Sequence, residues 1–110
     1  MQSETLVEHL KRYHFGEENA VTSKELEAAF SVKGIELRNI INTLRRSGVP
    51  IASSANGYFY AATAQEVRAT IANMSHRIIG ISRAIDGLND ALAEFDTTQM
   101  RLPLDGGGGP

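Results

Sequence analysis

Apolar residues in the first half of the chain recur at helical spacing between clear stops. Leu6, Val7, Leu10 and Tyr13 share one face of a helix predicted over residues 4–14, with Ser3 as N-cap and Gly16 as the stop. A polar loop follows, and Thr22 and Glu25 then sit at the two ends of a T-x-x-E capping box. The second helix therefore starts at Ser23 and is expected to bury Leu26, Ala29 and Phe30. After the break "SVKG", Leu37, Ile40, Ile41 and Leu44 mark a third amphipathic helix. Gly48 ends it, and Arg45 and Arg46 occupy its last turn, where the helix dipole favours cations. The period then changes from helical to strand-like. Val49, Ile51, Tyr58, Phe59 and Tyr60 favour strands, Pro50 interrupts the first run, and Asn56-Gly57 between the runs predicts a tight hairpin. Residues 20–22 are assigned as a third, very short strand.

A second T-x-x-E box, Thr63 to Glu66, opens a much longer pattern. Val67, Ile71, Met74, Ile78, Ile81, Ile85, Leu88, Leu92 and Phe95 are separated alternately by four and three residues. That is a heptad seam, with Ile71, Ile78, Ile85 and Leu92 at a and Val67, Met74, Ile81, Leu88 and Phe95 at d. Residues 63–95 make a rod of roughly 48 Å, too long for residues 1–62 to cover. Its first turns are expected to pack on the first helix, with Ile79, off the seam, serving that contact. The rest of the stripe needs a partner, and a second copy of the chain supplies one. Flanking e and g positions such as Ser75, Ser82, Ala84, Asn89 and Ala91 are mostly small and uncharged, so they permit close approach without fixing orientation. Gly80 and Gly87 each weaken the helix by about 1 kcal/mol relative to alanine. Beyond Phe95 the repeat stops, and two prolines and four consecutive glycines predict a disordered tail over residues 96–110.

Composition narrows the function classes. With 110 residues, 42% hydrophobic and 22% charged, the chain is one domain plus an appendage. It has no cysteine, which excludes disulfides, zinc–thiolate sites and thiol catalysis. The N-terminus carries charges where a signal peptide needs an apolar run, so a cytoplasmic address and no membrane span are expected. The formal charge is −2, so any affinity for nucleic acid must come from a local patch. No glycine-rich phosphate loop is present, His9, His14 and His76 lack metal-ligand spacing, and Ser53 and Ser54 lie in a hairpin. Nothing in the sequence supports catalysis, a cofactor or a metal.

Helix, turn, helix and hairpin is the order of a winged helix-turn-helix. The stretch "ELEAAFSVKGIELRNIINTLRRSGVPIASSANGYFYA", residues 25–61, resembles the winged helix-turn-helix domain at the N-terminus of bacterial biotin repressors and their relatives. The resemblance implies a mainly α fold with a small β-hairpin wing, continued here by a long C-terminal coiled-coil helix. It also implies that the outward face of the third helix enters a DNA major groove. That face has Lys33, Gly34, Glu36, Arg38, Asn39, Asn42, Arg45 and Arg46, and residues 33–46 hold four bases against one acid. Arg38 suits a bidentate contact to guanine and Asn39 or Asn42 one to adenine, while Lys33, Arg45 and Arg46 suit phosphates. Two features depart from the family. The hairpin tip "SSANG" has no Lys or Arg for a minor groove, and Lys33-Gly34 stands where relatives commonly open the helix with Ser or Thr. Small prokaryotic and phage regulators and replication proteins resemble the larger plan, a winged helix followed by a dimerising helix.

In the tail, Gln99-Met100-Arg101-Leu102-Pro103-Leu104 resembles the short peptide with which bacterial replication proteins bind the DNA polymerase sliding clamp. Gln99, Leu102 and Leu104 match its Q-L-x-L-x-L form, and Met100 replaces a leucine. The expectation is a homodimeric double-stranded DNA-binding protein of replication or its regulation, recruited to the clamp. An adaptor whose winged helix binds protein, and a small transcriptional repressor without replication partners, stay open as alternatives.

Overall fold

The computed structural model describes residues 3–101, the last four by backbone alone. In chain order these form α1 (Ser3–Tyr13), one 3-10 turn (Glu17–Asn19), α2 (Ser23–Phe30), α3 (Gly34–Arg46), β1 (Ile51–Ser54), β2 (Gly57–Tyr60) and α4 (Ala64–Arg101). The architecture is mainly helical, with one small antiparallel hairpin and a long C-terminal helix, as the pattern predicts. The chain divides into two compact units whose boundary, between Asn73 and Met74, falls within α4.

In the first unit, helix ends lie where local chemistry sets them. The Thr22 N–H donates to Glu25 Oε1 and the Glu25 N–H to Thr22 Oγ1, both at 3.1 Å, closing the capping box of α2. At the end of α3, Gly48 takes φ 97° while its N–H donates to the Arg45 carbonyl and that of Val49 to the Leu44 carbonyl, each at 3.0 Å. This is a Schellman closure, which requires a left-handed residue at Gly48. The start of α3 has no such device, because the Lys33 side chain makes no capping bond. A Ser, Thr, Asp or Asn there would add about 1 kcal/mol.

Leu6 and Leu10 of α1, Leu26 of α2, Leu37 and Ile41 of α3, Ile51 of β1 and Val21 form the core, with Phe30, Ile40 and Leu44 half-buried around it. Each fully buried leucine or isoleucine contributes about 1.5–3 kcal/mol of transfer free energy. One residue on the apolar face of α1 and one residue expected to be buried on α2 lie outside the core. Tyr13 is 58% exposed, since it sits in the last turn of α1, past the buried layers, with its ring 5.2 Å from that of His9. Ala29 is also exposed: on this short helix Leu26 and Phe30, four apart, define the inward face.

The strands pair Ile51 with Tyr60, Ala52 with Phe59, Ser53 with Tyr58 and Ser54 with Gly57. The turn residues are therefore Ala55 and Asn56, one position earlier than the Asn56-Gly57 signal implies. Gly57 is needed within the strand instead: its φ is 123°, and a Cβ there would overlap the Val21 carbonyl oxygen. Val21 approaches so closely because its N–H and C=O both bond Tyr58, at 2.8 Å each. The short third strand is thus a single bridge at Val21. A bridge at Phe15, not anticipated, completes the same edge of β2, where the Tyr60 N–H donates to the His14 carbonyl at 2.7 Å.

The expected box at the start of α4 is present: the Glu66 N–H donates to Thr63 Oγ1 at 3.1 Å and the Thr63 N–H to Glu66 Oε1 at 3.3 Å. Two more bonds fix these turns. Glu17 N–H reaches Glu66 Oε2 at 3.0 Å, and Ser53 N–H reaches the buried Thr70 hydroxyl at 3.1 Å. These bonds run to the Glu17 turn and to β1, whereas Ile79, expected to serve a contact with α1, is 48% exposed. α4 also continues six residues past Phe95, to Arg101. The heptad pattern ends at Phe95, but the first helix breaker after it is Pro103.

Candidate nucleic-acid interface

Burial of Leu37 and Ile41 fixes the rotation of α3. Opposite them, Ile35, Asn39, Asn42 and Arg46 line up at helical spacing as an outer ridge, with Arg38 on one flank and Glu36 and Thr43 on the other. All seven are exposed. Of the residues singled out from the sequence, Lys33, Glu36, Arg38, Asn39, Asn42 and Arg46 are open to solvent, while Gly34 and Arg45 are half-buried.

Gly34 sits in the close passage from α2 to α3. A Cβ added there would lie 3.1 Å from Glu27 Oε2 and 3.6 Å from Arg38 Nη1. Arg45 is engaged with the hairpin: its Nε donates to the Ile51 carbonyl at 2.7 Å, its Nη2 to Ser53 Oγ at 3.1 Å, and its guanidinium lies 5.8 Å from the Tyr58 ring centre. The side chain thereby links α3 to both strands and sets the hairpin's position beside the helix. Arg46 keeps its bond local, donating to Thr43 Oγ1 at 3.4 Å. At the hairpin tip Ala55 and Asn56 are exposed, and the Asn56 N–H donates to Ser54 Oγ at 3.1 Å.

Sequence reasoning missed Ile35 and Thr43 on this face. The signal was available for Ile35, because it lies half a turn around the helix from Leu37 and so cannot share its apolar side. Ile35 is 62% exposed.

Elsewhere in the first unit His9 packs against Tyr13, His14 and Phe30, with ring centres 5.1–5.2 Å apart. Burial, and then the neighbouring His14, hold the His9 pKa below its ordinary value. Among the described residues no three His, Asp or Glu side chains gather as a metal site. None of the described helices is long and apolar enough to cross a membrane.

In the second unit the seam is laid open along α4. Ile78, Ile81, Ile85, Leu88, Leu92 and Phe95 are between 53% and 70% exposed, as is Ile71 in the first unit, while Met74 is half-buried. Of the clamp-like peptide, Gln99 and Met100 belong to the last turn of α4 by backbone, and their side chains, with Leu102 and Leu104, lie outside the described residues. Comparison with protein-family models, with curated proteins and with solved structures yields no match to this chain.

Proposed function

We propose that this chain is a homodimeric double-stranded DNA-binding protein that reads a major groove with α3 and acts in DNA replication or its regulation. The observation that carries the reading is the outer ridge of α3. Asn39 and Asn42 stand exposed at its centre, Arg46 and Arg38 beside them, on a helix anchored from behind by Leu37 and Ile41. An exposed helix of this width fits a major groove about 12 Å across, and amide and guanidinium groups are the side chains that discriminate adenine and guanine there. Lys33 and Arg46 supply phosphate contacts, and Ile35 offers an apolar contact to a thymine methyl. Arg45 acts as a positioning residue, holding the hairpin against α3. The open seam of α4 supplies the dimer, and the peptide from Gln99 to Leu104 supplies the sliding-clamp contact.

A second reading is an adaptor whose α3 face binds protein. The exposed Ile35 and a hairpin tip with no Lys or Arg favour it. Fluorescence polarisation with duplex DNA at two salt concentrations separates the two. DNA binding that weakens steeply as salt rises supports the first reading, because neutralised phosphates release counterions. No binding at low salt leaves the adaptor. Capture of purified clamp that survives Leu102→Ala together with Leu104→Ala would reject the tail's assignment.

A further inference from the structure

We infer that the exposed seam of α4 pairs with a second copy of this chain in antiparallel orientation. The inference rests on the dimeric part of the proposed function and adds what orients the pair. Small uncharged residues fill the middle of the seam's flanks, but Arg68 and Asp96 at e and Arg77 at g carry charge there, and the charges along the helix are unevenly divided. From residue 68 to residue 83 there are three arginines and one histidine without an acid, and from residue 84 to residue 96 four acids without a base. Both stretches belong to one continuous helix.

Parallel pairing in register would set the basic stretch level with its own copy, and likewise the acidic stretch. Antiparallel pairing sets each basic stretch beside the partner's acidic stretch. Of these charges, Arg68 and Asp96 at e and Arg77 at g flank the seam, where on two helices 8–10 Å apart opposing charges can come within about one Debye length at physiological salt, whereas Arg83, Asp86, Asp90 and Glu94 fall at f, b, f and c on the outer face. Opposite charges at the flanks therefore favour the reversed arrangement.

The seam fits the same arrangement. In antiparallel pairs an a residue packs against a d residue, and the register that covers the exposed seam sets Ile71 opposite the partner's Phe95 and Ile78 opposite the partner's Leu88. Its midpoint sets Ile85 opposite the partner's Ile81. In this register Arg68 and the partner's Asp96 meet as e positions on the same side of the seam. Parallel pairing puts Arg68 beside Thr63 and Asp96 beside Ala91, and forms no such pair. A second copy is the occupant, since the same helix presents both the basic and the acidic stretch, each complementary to the other only when reversed.

The chain has no cysteine, so single introduced thiols report the pairing without background. A disulfide needs Cα atoms within about 7 Å. Full-length Ile78→Cys and Leu88→Cys proteins are mixed and oxidised, and each is also oxidised alone. The antiparallel pair forms a covalent dimer in the mixture only, because the two copies of residue 78 lie about 15 Å apart along it. Ile71→Cys with Phe95→Cys repeats the test at the seam's ends, where the two copies of residue 71 are about 36 Å apart. Self-linking of Ile78→Cys alone would establish parallel pairing and overturn the inference, as would the absence of covalent dimer in both mixtures. Polarisation with the locked mixed dimer keeps the two readings apart. A locked dimer that ignores DNA leaves the pairing in place and removes the DNA function, whereas a parallel dimer that binds DNA does the reverse.

Discussion

At the residue scale, Glu66 joins more of the first unit than any other carboxylate described. Its oxygens accept from the N–H groups of Glu17, Ala62 and Thr63, which together hold its pKa below the ordinary value, the Glu17 bond contributing most. A carboxyl group with a lowered folded pKa contributes stability above its unfolded pKa and loses it as pH falls through the folded value. Glu66→Gln is therefore expected to lower the melting temperature at neutral pH, and the gap from the parent should close as pH falls below about 4. Thermal melts of both proteins across pH 3–7 check this; a gap that stays constant would mean that shape rather than charge matters there. Gly57 makes a second residue-scale case. Gly57→Ala imposes a strained φ and drives a methyl group into the Val21 carbonyl, so it is expected to cost about 1–3 kcal/mol or more in chemical denaturation. A cost below half a kcal/mol would show that the bridge at Val21 yields easily.

At the element scale, the proposed function divides the α3 face into residues for base reading and residues for phosphate contact. Asn39→Ala and Asn42→Ala are each expected to weaken binding by about 1–3 kcal/mol on a selected site and far less on random DNA. Arg46→Ala should weaken both alike and reduce the slope of log affinity against log salt by about 1. Titrations on the two DNAs at several salt concentrations distinguish these patterns, and equal losses for all three variants would deny α3 a reading role. Much of this scale was legible in the sequence because it is set locally. The boxes at Thr22 and Thr63 and the glycine stop at Gly48 act within a few residues, so pattern alone placed the starts of α2 and α4 and the end of α3. What was not legible depends on distant segments. The turn shifts by one residue because Val21, far back in the chain, bonds Tyr58 and crowds Gly57. Arg45 reads as one more surface cation until the hairpin folds against it. The end of α4 was misplaced for another reason: loss of the heptad repeat removes a partner's face and does not break a helix.

At the scale of the whole molecule, the seam was visible in the sequence from its alternating spacing, whereas the inferred orientation rests on charges placed along one helix. That orientation bears on how a dimer would meet DNA. Antiparallel pairing places the two copies of Ile71 about 36 Å apart along the pair. Parallel pairing would bring the same residues together. Two linked reading helices convert the second binding event into an intramolecular one, which typically strengthens binding by about 10²–10⁴-fold. Ile85→Asp buries a carboxylate at the middle of the seam and should leave the first unit folded but monomeric. On DNA with two half-sites this variant is expected to bind about 100-fold or more weakly than the parent, and on a single half-site about equally well. Sedimentation and polarisation measured together test the link: a monomeric variant that retains full affinity for the paired site would show that each chain reads DNA alone, and that the seam serves another purpose.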